Sequence, residues 1–403
     1  MASSLVKLGD LRDNAGMDSQ FDVVIVGAGL AGLSLAVALR ASHWSVAVVE
    51  GRQPQAVDGL DPRIYAVSPA NARFLDAIGI WQHLDTHRLA PVREMEIFGD
   101  AGGHLSFSAY DSGVTELAWI IESSLMHAEL WQSARRQAKL MLLCPARPQT
   151  LSIESEAAYL TLGDGRRLSA RLIVAADGAD SWVRQAAGID VDFKAYEQMG
   201  VVANFACEKP HQDTAFQWFR DDGVLAYLPL PGGNRISIVW STAAEHAGEL
   251  LTLTEAEFCR HVADAGAERL GKLALLTPAA GFPLRLMRAP HSVAARLALI
   301  GDAAHAIHPL SGHGINLGFQ DAKVLADMLT TCPDHIDCGE HHWLRRYERT
   351  RKEEVVALQS ATHGLQRLFL PHNPLLSVLR NAGLNLTNAL PVIKDTLVRY
   401  ALG

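Results

Sequence analysis

The chain has 403 residues, 49% of them apolar and 20% charged, a globular composition that excludes disorder and collagen-like repeats. At about 150 residues per domain it should form two to three domains, enough to bury a large core without disulfides or structural metals. A net charge of −8 excludes the basic surplus of a nucleic-acid binder, and five scattered cysteines without a C-x-x-C pair point to a reduced, cytoplasmic protein.

Met1 to Gln20 carries Lys7, Asp10, Arg12, Asp13 and Asp18 and no apolar stretch, so it reads as a flexible leader rather than a signal peptide. Val23 to Leu39 then runs without a charge, but Gly27, Gly29 and Gly32 break it up, which suits a membrane span poorly. The spacing predicts a buried strand over Val23–Val26, a tight turn at Gly27–Gly29, a helix over Leu30–Ala41 and a second strand over Val46–Val49. In that setting Gly27-x-Gly29-x-x-Gly32 is a dinucleotide fingerprint. Gly27 permits the turn, Gly29 lets the backbone approach a pyrophosphate, and Gly32 lets the helix lie close to the sheet. Glu50, 18 residues after Gly32, closes the second strand where it can accept hydrogen bonds from ribose hydroxyls. The pattern alone does not choose between NAD and FAD.

Two more short apolar strands end in polar punctuation, Leu172–Ala175 before Asp177-Gly178 and Leu297–Ile300 before Gly301-Asp302. Between them, residues 190–285 alternate, as in Arg235-Ile236-Ser237-Ile238-Val239-Trp240, which predicts half-exposed antiparallel strands with a hairpin near Pro229 to Gly233. From Gly314 onward the pattern is mostly helical. Leu297 to Leu317 joins a strand, the Asp302 carboxylate, a Pro/Gly loop containing Gly312-His313-Gly314, and a helix opening near Gly314. A carboxylate there suits a polyol hydroxyl, while loop N–H groups and the helix dipole suit negative charge on a reduced flavin ring. A nicotinamide enzyme has no use for this second segment, so the expected cofactor is FAD.

Gly27-Ala-Gly29-Leu-Ala-Gly32, Asp177-Gly178-Ala-Asp-Ser181-Trp-Val-Arg184 and Gly301-Asp302-Ala-Ala-His305 with Pro309 resemble the motifs of the FAD-dependent aromatic hydroxylases of the para-hydroxybenzoate hydroxylase superfamily. Asp61-Pro62-Arg63, Leu228-Pro229-Leu230, Phe282-Pro283-Leu284 and Leu379-Arg380-Asn381 extend the likeness from about residue 21 to the end. Within the superfamily the chain is most similar to the hydroxylases of ubiquinone biosynthesis.

The expected architecture is α/β. It comprises a Rossmann-like FAD-binding domain of glutathione-reductase type over residues 21–95, 118–189 and 286–345, a β-rich substrate domain over 96–117 and 190–285, and a helical region over 346–403. By the resemblance, Glu50 holds the adenosine ribose and Asp302 the ribityl chain. Asp177 and Arg184 belong to a segment tied to both FAD and NAD(P)H, and Arg63 lies near the flavin. Gly301, Pro309, Gly312, Gly314, Ile315 and Asn316 complete the flavin-side loop. The implied reaction is hydroxylation of a polyprenylated phenol, with NAD(P)H as co-substrate and oxygen delivered through a hydroperoxyflavin. A soluble phenol as substrate, or a non-catalytic flavoprotein subunit of a quinone-biosynthesis complex, are the alternatives.

Arg63 and His313 are the candidate catalytic residues. His313 stands where the family has glutamine, and it either donates one hydrogen bond as a passive replacement or titrates beside the flavin. His305, His308 and His313 are close in sequence, but no carboxylate or cysteine completes a metal set, so no metal is expected. His341-His342 reads as a solvated face, and Cys332 and Cys338 as surface thiols of a loop. Gly364 to Gly403 sets Arg367, Arg380, Lys394 and Arg399 against Asp395, with leucines at helical intervals. That suits a helix docking on the inner face of a membrane or on a biosynthetic complex, and equally an ordinary helix packed on the core.

Overall fold

A computed structural model of the chain describes residues 18–55, 59–306 and 314–369, with Asn381, Asn385, Leu386 and Asn388 beyond them. The helices run α1 (Leu30–Ala38), α2 (Pro69–Ala77), α3 (Ser123–Arg135), α4 (Trp182–Ala186), α5 (Ala244–Thr252), α6 (Glu255–Ala265), α7 (Gly314–Thr330) and α8 (His341–Phe369).

The first sheet is built on apolar runs. Its parallel strands stand in the order Leu297–Leu299, Arg167–Ala175, Asp18–Val26, Val46–Val49 and Leu140–Leu143. Alternate residues of the first strand serve two cores, as strand geometry requires. Val23 and Ile25 pack with Leu33, Val37, Leu130 and Phe319 of α1, α3 and α7, while Val24 and Val26 pack with Ala47, Ile173 and Leu160. Both faces are therefore covered, which is why these strands read as unbroken hydrophobic runs. The first strand begins at Asp18, paired with Arg167, so residues 18–20 of the expected leader belong to the sheet. The first helix also ends earlier than expected: α1 stops at Ala38, and Leu39–Ala41 tightens into a 3₁₀ turn.

The second sheet is mostly antiparallel and follows the order His305–Ala306, Ala280–Arg288, Asp192–Cys207, Arg235–Ala243, Gly223–Leu230, Thr214–Arg220, Glu94–Phe98 and His104–Ser108. Helices α5 and α6 cover its back, where Phe205, Tyr227, Trp240 and Phe258 form a separate core. Its front turns toward the first layer, and Asn204 Nδ2 donates to the Asp61 carbonyl at 3.2 Å. A small sheet of Ile64–Val67, Ala118–Glu122 and Ala90–Val92 lies between the two, joined to the second sheet through Ile120, Ala215 and Leu230.

The outer edge strand His104–Ser108 is covered in an unusual way. Asn381, Asn385 and Asn388, spaced four and three residues apart, accept hydrogen bonds from the N–H groups of Gly103 (2.8 Å), His104 (2.8 Å) and Ser106 (3.1 Å). Side-chain amides thus take the place of the next strand.

The exposure of His341 and His342 follows the sequence reading. That of Cys332 and Cys338 does not. Both thiols are buried in the core beneath α7 and α8, because Trp343, Leu344 and Tyr347 close over the connecting loop. Among the described residues, no helix is long and apolar enough to cross a membrane.

Candidate active site

The glycine turn separates what the fold demands from what it leaves open. Gly27 has φ +106°, and a β-carbon there would lie 2.3 Å from the Ala176 carbonyl oxygen. One at Gly32 would lie 2.1 Å from the Gly27 carbonyl oxygen. Both are forced by close packing. Gly29 is different: its φ is −71°, and a β-carbon would meet nothing within 4 Å. Nothing among the described residues requires glycine there, so the open space in front of it is what a pyrophosphate would fill. Gly29 also caps α1 without a side chain and without an acidic residue in the first turn, leaving the helix N-terminus to an anion. Glu50 fixes this turn from below. Its Oε2 accepts from Ala28 N at 2.8 Å and its Oε1 from Arg52 N at 2.9 Å, with lone pairs left for ribose hydroxyls.

Across the cleft, Gly301 turns with φ +57° against Ala31 of α1. Its N–H donates to Asp321 Oδ2 at 2.8 Å. The same oxygen meets His305 Nε2 at 2.7 Å, and Oδ1 accepts from Arg351 Nε at 2.7 Å. Burial works to raise the Asp321 pKa, but His305 and Arg351 outweigh it and hold the carboxyl below its ordinary value. The strand end, α7 and α8 are thereby tied at one carboxylate.

Asp302, Arg63 and Tyr65 form the open wall. Asp302 and Arg63 are exposed, and Tyr65 beside them is half-buried. Desolvation raises the Asp302 carboxyl despite the attraction of His305 and Arg63. The Arg63 guanidinium lies 5.8 Å from the centre of the Tyr65 ring and has its pKa raised, first by Tyr65 and also by Asp302 and Asp61. Arg184 is almost fully buried and donates to the carbonyls of Ala303 and Ala179, each at 2.9 Å, so it braces the Gly301–Asp302 turn through the backbone. Asp177 Oδ2 accepts from Val183 N, whereas its buried Oδ1 has no partner among the described residues. Asn316, near the start of α7, accepts from Ser68 N and donates to the Ala66 carbonyl, and Gly314 and Ile315 precede it on the same turn.

Gly27, Gly29, Gly32, Glu50, Asp177, Arg63, Gly301, Asp302 and Gly314–Asn316 thus converge at the carboxyl ends of the parallel strands, where a doubly wound sheet receives its ligand. Pro309, Gly312 and His313, together with His308, lie outside the described residues. Sequence reasoning missed Tyr65, Asp321 and Arg351, which belong to no motif and gain their places only through the fold.

The chain's likeness to known proteins agrees with this geometry. Residues 20–361 match the family model described as "FAD binding domain". The Escherichia coli 3-demethoxyubiquinol 3-hydroxylase is 32% identical over 386 residues, 95% of this chain and 98% of that protein. The ubiquinone hydroxylase UbiL of Rhodospirillum rubrum is 33% identical, covering 96% and 90%. The chain belongs to the family of FAD-dependent ubiquinone hydroxylases. The fold of the hydroxylase is likewise that of PqsL, a probable FAD-dependent monooxygenase from Pseudomonas aeruginosa. That structure superposes with a TM-score of 0.77 at 26% identity, over 91% of this chain and 99% of PqsL. The residues of the hydroxylase fit FAD on their own terms: an open cradle at Gly29, an uncapped helix end, and carboxylates at both ends of the cleft.

Proposed function

We propose that the enzyme hydroxylates the ring of a polyprenylated phenol, an intermediate of ubiquinone biosynthesis, using NAD(P)H and oxygen. The observation that carries this reading is the front face of the second sheet. Register places Gly200 beside Ser241 and Val224, Val202 beside Val239 and Ala226, and Asn204 beside Ser237 and Leu228. Val202, Val224, Ala226, Leu228 and Val239 are only partly buried, although they sit in mid-sheet and their back-face neighbours are fully covered. A hollow therefore lies in front of them, and none of these nine positions is ionisable. A ring bearing a carboxylate would give up hydration there without gaining a partner on this face, at a cost of several kcal/mol. An uncharged phenol with a hydrocarbon tail would not. The relatives named as ubiquinone hydroxylases support the same substrate class.

Bound FAD supplies the transfer of electrons and of one oxygen atom. The chain's own residues bind, orient and exclude water. Gly29 and the α1 terminus would receive the pyrophosphate, Glu50 and Asp302 the sugar and polyol hydroxyls, and Arg63 with Tyr65 would wall the ring. The apolar sheet face keeps water from the reacting side. Association of the basic C-terminal region with a membrane surface or a quinone-biosynthesis complex belongs to the same proposal, since a polyprenyl tail holds its phenol in lipid.

The test is turnover by the FAD-loaded enzyme on a prenylated phenol and on para-hydroxybenzoate, followed by mass spectrometry of the products. A gain of one oxygen atom on the prenylated ring alone is the expected result. Product from the carboxylate-bearing ring alone would sink the reading, and stimulated NAD(P)H oxidation without product would mark a flavoprotein that does not hydroxylate.

A further inference from the structure

The strand Ala280–Arg288 pairs along one side with Asp192–Cys207, and among the described residues its other side is paired at Met287 and Arg288 alone, by His305–Ala306. Its first half has no strand partner on that side among the described residues. Ala280, Gly281, Phe282 and Pro283 are all exposed, and none bears a polar side chain. Open edges are ordinarily guarded by charge, so a bare apolar run here calls for an occupant. Pro283 offers no N–H, which makes the edge a poor template for another strand and a better one for a ligand that needs no hydrogen bonds.

The same edge is continuous with the hollow. Phe282 lies opposite Gly200, and a β-carbon on Gly200 would sit 2.6 Å from the Phe282 Cζ. The ring therefore lies over Gly200 on the face that carries Val202 and Asn204, the face turned to the FAD cleft. On the reverse of the strand, a β-carbon at Gly281 would meet Leu251 at 2.8 Å, and Leu251 is itself 36% exposed. Apolar surface thus leads from Val202 and Val239, past the Phe282 ring, to a lip at the protein surface.

We propose that the lip formed by Leu251, Ala280, Phe282 and Pro283 is the portal through which the hydrocarbon tail of the substrate leaves the ring-binding cleft. Gly200 provides the room for Phe282 to lie against the sheet as one wall of that portal. The inference rests on the prenylated-phenol reading and adds where the tail runs.

The test compares kcat/KM for a phenol with a three-isoprene tail and for the same ring carrying a methyl group, in FAD-loaded enzyme. Phe282→Asp should lower the tailed-to-methyl ratio about tenfold or more, mainly through KM, and Phe282→Leu, which keeps the apolar surface, should hold the ratio near that of the unaltered enzyme. Equal losses on both substrates, or a leucine variant that behaves like the aspartate one, overturn the portal. Loss of liposome binding or of self-association with an unchanged ratio also overturns it, assigning the lip to a membrane or to a second copy. If the unaltered enzyme turns over the methyl phenol but not the tailed one, the substrate reading fails instead.

Discussion

At the scale of single residues, the three glycines of the first turn make separable demands. Gly32→Ala should destabilise the cofactor-free protein, because the new methyl group would collide with the Gly27 carbonyl. Gly29→Ala should leave its thermal unfolding unchanged yet weaken FAD binding, because the methyl group would occupy the open cradle. Paired melting curves and FAD fluorescence titrations check both. Asp321→Asn would take from the buried Arg351 its main partner, at a cost of about 3–5 kcal/mol. The sign of its pH dependence follows from the lowered pKa. Stability from this carboxylate is complete above its ordinary value near pH 4 and is lost as pH falls through the folded value. The asparagine variant should therefore be less stable at neutral pH and show a shallower acid loss, read by denaturant titration at several pH values. The glycines, Glu50 and Asp302 were legible in the sequence because each sits at a fixed offset from a strand end. Tyr65, Asp321 and Arg351 were not, since their importance comes from what the fold places opposite them.

At the scale of elements, short buried strands were the easiest to read. Val46–Val49 appears with the expected limits, and Arg167–Ala175 and Gly314–Thr330 contain the runs that announced them. Their apolar continuity reflects burial on both faces, so composition alone reports it. The asparagine ladder went unread, although its spacing of four and three residues is a helical period. The basic residues and leucines of the same region left the reading divided between an interfacial helix and an ordinary helix packed on the core. Replacing Asn381, Asn385 and Asn388 with alanine should remove three acceptors, each worth about 1 kcal/mol, and bare the edge strand His104–Ser108. Concentration-dependent association in sedimentation velocity, with the bound-FAD absorbance spectrum unaltered, is the expected outcome.

At the scale of the whole molecule, the two sheets face each other across a cleft whose walls are polar on the first layer and apolar on the second. That division matches a cofactor rich in hydroxyl and phosphate groups set against an oily substrate. Because FAD would touch Gly29, Arg63 and Asp302 together, it should act as a clamp. At a free concentration one hundred times its dissociation constant it should add about 2.7 kcal/mol of stability, seen as a raised melting temperature and slower proteolysis.

The wide separation of Glu50 and Asp302 along the chain has a further consequence during synthesis. The glycine turn emerges from the ribosome early, but the carboxylate that completes the pocket follows 252 residues later. At about 5–20 residues per second that interval lasts roughly 13–50 s. The nascent N-terminal half must therefore wait with its strand Asp18–Val26 lacking the neighbour supplied by Arg167–Ala175 for part of that time, and both carboxylates of the cleft are present only once Asp302 has emerged.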